Sequence, residues 1–218
     1  MNAEHLHTVK CVLFFTELFV AIAASLNYYK YKHTFLKHFL FIIWYAVINE
    51  VIGYYFTQYI NRNNTVLYNI YRLIEFSFYL LLYYNIVSNL TNKKLIKLML
   101  YLYLVSVLIN CFYESFVTEY FIKNYILGAS FIVISIIMYF SEILHSDKII
   151  YIDKYLYFWI SFAALIYFLP NIPFKVVTKY YVNSPTIPYV YWVTYLLSFI
   201  NFIILIIGFT WSNKIQRQ

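Results

Sequence analysis

Glu17, Glu50, Arg72 and Glu75 fall near the middle of hydrophobic stretches long enough to cross a bilayer, and all four lie in about the first third of a 218-residue chain. An ionisable side chain at the bilayer centre costs roughly 2.5–3.5 kcal/mol on insertion scales, so it is expected to face a protein interior or a wet cavity and to take a partner. Together the four carry a formal charge of −2. A low-dielectric interior resists that charge, so at least one glutamate is expected to be protonated or to hold a cation. The chemistry open to this set is proton or cation binding and ion pairing. Asn49 precedes Glu50, Asn69 lies one turn before Arg72, and Asn201 lies in the last hydrophobic stretch. With the four charged residues they form the candidate ligand- or proton-binding set. No catalytic residue and no metal ligand is assigned.

Seven apolar stretches must position these residues, near 8–29, 39–60, 66–87, 98–116, 125–144, 155–174 and 189–211. A span needs about 20 mostly apolar residues. Hydrophobic residues make up 63% of the chain and charged residues 11%, which places it among integral membrane proteins. The runs are continuously apolar and lack the dyad alternation of barrel strands, so the expected fold is all-α: one bundle of seven transmembrane helices over residues 1–218. The first stretch contains Glu17 and no persuasive small-residue cleavage site, and it is read as helix 1, not as a signal peptide.

Within each span the polar residues share a face with small ones, as expected of helices that pack together. Glu17, Ala21 and Ala24 do so in helix 1, and Ala46, Glu50, Gly53 and Thr57 in helix 2. Tyr68, Arg72, Glu75 and Tyr79 follow spacings of four, three and four, which makes Arg72 and Glu75 neighbours on one stripe. In helix 7 the corresponding set is Thr194, Ser198, Asn201 and Gly208. Counted from the outer edge, Glu17, Glu50 and Glu75 each lie about nine or ten residues in, near half of the ~30 Å core at 1.5 Å per residue. One cluster at the midplane is therefore expected. The competing reading is a structural Arg72–Glu75 pair that fixes helix assembly, with Glu17 or Glu50 hydrogen-bonded to tyrosines.

Lysine and arginine set the orientation. With the N-terminus outside, inner segments hold Lys30, Lys32, Lys37, Lys93, Lys94, Lys97, Lys148, Lys154, Lys214 and Arg217, twice as many as the outer Lys10, Arg62, Lys123, Lys175 and Lys179. The expected localisation is a multi-pass protein of the inner membrane with a cytoplasmic C-terminus. The net charge of +7 then reflects basic loops at an anionic surface, not a nucleic-acid patch. The lipid bilayer is the expected partner, with room for a membrane or cytoplasmic protein and none for nucleic acid.

Many of the 27 tyrosines, Tyr31 and Tyr83 among them, lie near span ends and are read as interfacial belts. Pro170 and Pro173 are placed at the outer end of helix 6, where they break or end it. Cys11 and Cys111 are read as thiols rather than a bridge.

Several chemistries are argued against. The last stretch contains no lysine for a retinal Schiff base, and His5, His7, His33, His38 and His145 lie at span ends or in loops, so no haem, copper or zinc site and no other cofactor is expected. No nucleophile elbow, phosphate-binding glycine loop or serine-histidine arrangement occurs.

The segment Phe39 to Phe56, with Trp44-Tyr45 and Asn49-Glu50, together with Leu67 to Phe76, with Tyr68-Asn69-Ile70-Tyr71, resembles a widespread group of small seven-helix bacterial membrane proteins. The resemblance covers helices 2 and 3. It implies a seven-helix fold and no particular reaction. The function expected is a membrane-embedded sensor or signalling and accessory module built on the Glu/Arg site. A proton- or cation-coupled small transporter or channel is the alternative, and an intramembrane lipid-acting enzyme using Glu50 and Glu75 as acid and base comes third.

Overall fold

The computed structural model describes residues 3–59, 64–181 and 187–213. The described residues are helical, with no strand, in seven α-helices: α1 Ala3–Leu26, α2 Phe39–Tyr59, α3 Thr65–Ile86, α4 Leu90–Asn110, α5 Ile122–Leu144, α6 Leu156–Tyr180 and α7 Ile187–Trp211. Short 3-10 turns occupy Tyr28–Lys30, Phe35–His38 and Asp147–Lys154. A membrane interior offers the backbone no water, and helices satisfy their amides internally. Among the described residues five helical segments are long and apolar enough to cross a membrane: Thr8–Leu26, Phe35–Thr57, Ile122–Leu144, Leu156–Tyr180 and Ile187–Trp211. α3 and α4 fall short of that apolarity. Asn69, Arg72, Glu75 and Asn85 interrupt α3, and Lys93, Lys94 and Lys97 crowd the start of α4.

α4 begins eight residues before the expected span near 98–116 and ends six before it. Its start is fixed by a cap: the Asn89 side-chain oxygen accepts from the N–H groups of Thr91 at 2.8 Å and Asn92 at 3.3 Å. Glu142, on the last turn of α5, adds a carboxylate there, accepting from Ser88 N–H at 2.6 Å, Asn89 N–H at 3.3 Å and Asn92 Nδ2 at 2.9 Å. An acceptor at a helix N-terminus satisfies amides that have no helical partner.

α6 runs on to Tyr180 with Pro170 and Pro173 inside it, instead of ending near 174. Each proline deletes one i to i−4 bond. Asn171 lies between them, and its Nδ2 donates to the Tyr167 carbonyl at 2.6 Å. Leaving the helix would expose several amides at once, which costs more than two missing bonds. Pro188 lies in the first turn of α7, where a missing N–H costs nothing. Pro185, Lys214, Arg217 and Arg62 lie outside the described residues.

The chain forms two compact units, Met1–Ile43 with Ile150–Gln218, and Trp44–Ile149. In the first, α7 packs against α1 and α6. Val20, Ala21 and Ala24 of α1, Ile160, Ala163, Ala164 and Phe168 of α6, and Leu205 and Phe209 of α7 belong to its core. The buried Lys30 closes one end, donating to the carbonyls of Phe209 at 2.8 Å and Thr210 at 2.9 Å, where the last carbonyls of α7 favour a cation. Burial holds its pKa below the ordinary lysine value. Asp153 Oδ2 accepts from Trp211 Nε1 at 3.2 Å, and that bond, with help from Lys154, keeps the carboxyl below the usual range. Lys154 Nζ sits 4.3 Å from the centroid of the Trp211 ring.

In the second unit α3, α4 and α5 pack mutually around Phe76, whose ring centroid lies 5.7 Å from that of Tyr103 and 5.4 Å from that of Tyr125. Two tyrosines read as belt residues are core residues instead. Tyr31 is 1% exposed, with its hydroxyl on the Ala24 carbonyl at 2.7 Å, and Tyr83 is fully buried against Tyr139. A buried tyrosine needs only a body-sized gap and one acceptor.

Candidate functional site

The polar cluster of the second unit is built on α3. Arg72 and Glu75 share one face three residues apart and form a salt bridge, with side chains 20% and 10% exposed. Tyr71, one turn before Glu75, donates its hydroxyl to the other carboxylate oxygen at 3.1 Å. The Arg72 guanidinium carbon lies 5.3 Å from the centroids of both the Tyr71 and Tyr125 rings, so the cation of α3 also rests on an aromatic face of α5. Tyr103 of α4 donates to the Arg72 carbonyl at 3.3 Å. Three helices therefore meet at one residue.

Next to Arg72 is a cavity of about 10 Å³, lined by Asn69, Tyr103, Phe121, Asn124 and Tyr125 among others. That volume admits one water and nothing larger. Asn124 is 5% exposed; its Nδ2 donates to Ser106 Oγ at 3.0 Å, and Ser106 in turn donates to the Tyr103 carbonyl at 2.7 Å. This direction of bonding fixes the amide and leaves Asn124 Oδ1 buried without a protein partner.

Asn69 turns out to hold backbone. Its Nδ2 donates to the carbonyls of Phe116 at 2.8 Å and Glu119 at 2.9 Å, and its Oδ1 accepts from Phe121 N–H at 3.2 Å. The α4–α5 connection is thereby pinned to α3. Asn110 Nδ2 on Glu114 at 2.9 Å, and Lys123 on the same carboxylate at 3.5 Å, fix its two ends. Asn69→Ala removes three hydrogen bonds of about 1 kcal/mol each. The expected result is amide exchange across residues 111–121 accelerated by at least tenfold while α5 keeps its protection.

The remaining candidates are placed as follows. Glu50 is exposed, contrary to its expected inward face, and its two oxygens each lie 3.3 Å from the Tyr68 hydroxyl that donates to them. On the same helix Ala46 and Gly53 are buried and Thr57 is exposed, so the small residues of that stripe face inward while Glu50 does not. Asn49, one residue away, is buried at 3%. Glu17 and Asn201 belong to the other unit, each half-buried, on α1 and α7. Thr194 and Ser198, which share the α7 stripe with Asn201, donate to the carbonyls of Val190 at 2.9 Å and Thr194 at 3.0 Å on their own helix. Among the described residues no three His, Cys, Asp or Glu side chains gather as a metal site would require, and neither Cys11 nor Cys111 is in a disulfide.

Sequence reasoning missed Tyr103, Asn124, Tyr125 and Glu142. A signal for Asn124 exists: it stands one turn before Gly128 on a mostly apolar helix, the polar-plus-small pattern of a packed face. No protein-family model, curated protein or solved structure matches this chain.

Proposed function

We propose that this chain is a seven-span inner-membrane protein, N-terminus outside, that acts as a sensing or accessory module. The state of the Arg72–Glu75 pair is read out through the packing of α3, α4 and α5 and passed to a partner protein. The observation that supports this reading is the size of the space beside Arg72: about 10 Å³, lined by Asn69, Asn124 and the rings of Tyr103, Phe121 and Tyr125 among others. A solute path needs room that this site lacks, whereas a pair that ties three helices together biases their arrangement whenever its charge or partner changes.

The test uses the full chain in proteoliposomes. Proton, sodium and potassium flux is expected to equal that of protein-free vesicles. In cells lacking the gene, the wild-type chain is expected to restore function and Glu75→Gln, at equal expression, to fail. Flux that depends on Glu75 would establish transport instead, and full restoration by Glu75→Gln together with Arg72→Gln would reduce the pair to a packing device.

A further inference from the structure

A second feature of the α3–α5 unit stands apart from the ion pair. Between the last turns of α3 and the first half of α4 runs an open groove of about 180 Å³. Leu80 and Ile96, both fully buried, form its floor, and Leu81, Leu100, Tyr84 and Tyr101 form its sides. Lys97 lines it too, with its ammonium 5.8 Å from the centroid of the Tyr101 ring.

We propose that this groove seats part of one acyl chain of an anionic glycerophospholipid, whose phosphate is taken by Lys97 with Lys93 and Lys94. Size comes first. Sites that enclose a whole soluble ligand measure about 300–1,000 Å³. An open groove of about 180 Å³ suits a short length of a longer apolar chain lying along the surface. Beyond it α4 continues apolar and exposed through Leu104, Val105 and Leu108, which follow Leu100 and Tyr101 at helical spacing, a surface suited to the rest of that chain.

Charge identifies the other end of the molecule. Lys93, Lys94, Lys97 and Tyr101 follow spacings of one, three and four, so the lysines share a stripe that leads into the groove. From Lys93 to Leu100 the helix rises about 10 Å, the offset between a headgroup and the first part of its chain. α4 contains no acidic residue, and neither does α3 after Glu75. Glu142, near the start of α4, is engaged by Ser88, Asn89 and Asn92. A zwitterionic lipid would bring its own cation against three lysines. An anionic one brings only complementary charge.

The experiment is native mass spectrometry of the full chain released from nanodiscs of equal phosphatidylglycerol and phosphatidylcholine. One phosphatidylglycerol is expected to stay bound in preference to phosphatidylcholine. Lys97→Gln, an exposed position that keeps the fold, is expected to weaken that retention about fivefold, and the triple change Lys93→Gln, Lys94→Gln, Lys97→Gln by about a hundredfold. Leu81→Trp, which fills the groove from its exposed side, is expected to lower retention without altering charge, with circular dichroism confirming the fold. Retention untouched by Lys97→Gln would overturn the proposal. So would an equal loss in Lys123→Gln, which would mean diffuse attraction to basic residues and no built site.

Discussion

Glu75→Gln alone is expected to lower the unfolding free energy of the detergent-solubilised protein by about 3–5 kcal/mol, and Arg72→Met alone by a similar amount. Removing one member of a largely buried pair leaves the other charge without its counterion, and that uncompensated charge, not the lost attraction, dominates the cost. The two singles should differ in kind. In Glu75→Gln the guanidinium keeps the rings of Tyr71 and Tyr125, whereas in Arg72→Met the carboxylate keeps the Tyr71 hydroxyl as donor. The double change removes both charges at once and is expected to regain at least 2 kcal/mol over the sum of the singles. Denaturant unfolding of the four proteins measures the cycle. Additive singles, each under about 0.5 kcal/mol, would mean that the pair is solvated in the native protein and fixes nothing.

The second large effect concerns glycine. A methyl at Gly128 would press into the ring of Phe76 and lie 2.9 Å from Tyr103 Cε2, and both rings are within the core. At Gly208 it would press on Trp159 Cβ, an atom that moves only if the backbone of α6 moves. Gly128→Ala and Gly208→Ala are each expected to cost about 1–3 kcal/mol through overpacking, and Gly128→Val more. Gly53 is the control. Its added methyl would stand 3.4 Å from Asn64 Nδ2 and 3.5 Å from the Tyr68 hydroxyl, which is ordinary contact, so Gly53→Ala should be neutral or gain up to about 1 kcal/mol from helix propensity. Thermal unfolding ranks the three. A Gly53→Ala more damaging than Gly128→Ala would mean that the α3–α5 contact is not as close as described.

The sequence locates three helices well: α2, α3 and α7 begin and end within two residues of their expected bounds. α4 and α6 were harder for opposite reasons. Three lysines early in α4 look like a loop to any count of hydrophobicity, yet the Asn89 cap and Glu142 carry the helix back past them. Two prolines late in α6 look like an ending, yet the cost of an unsatisfied backbone carries the helix on. The site divides in the same way. Spacing alone pairs Arg72 with Glu75, since both lie on one helix. Helical periodicity carries no information about which rings of α4 and α5 close over them, so Tyr103 and Tyr125 were not legible. Glu50 shows the converse limit, because a mid-helix position fixes depth along the axis but not the direction of the side chain.

The modest apolarity of α3 and α4 bears on biogenesis. Neither segment is among those long and apolar enough to cross a membrane by length and composition, and only Val87, Ser88 and Asn89 link them. If both cross the bilayer, they must wait for α5, whose Gly128 face completes their packing, and partition as a three-helix package. With α1 and α2 present in both, a cysteine introduced in α3 or α4 should therefore stay open to an aqueous thiol reagent in a nascent chain truncated after Asn110 and become protected in one extended through Leu144.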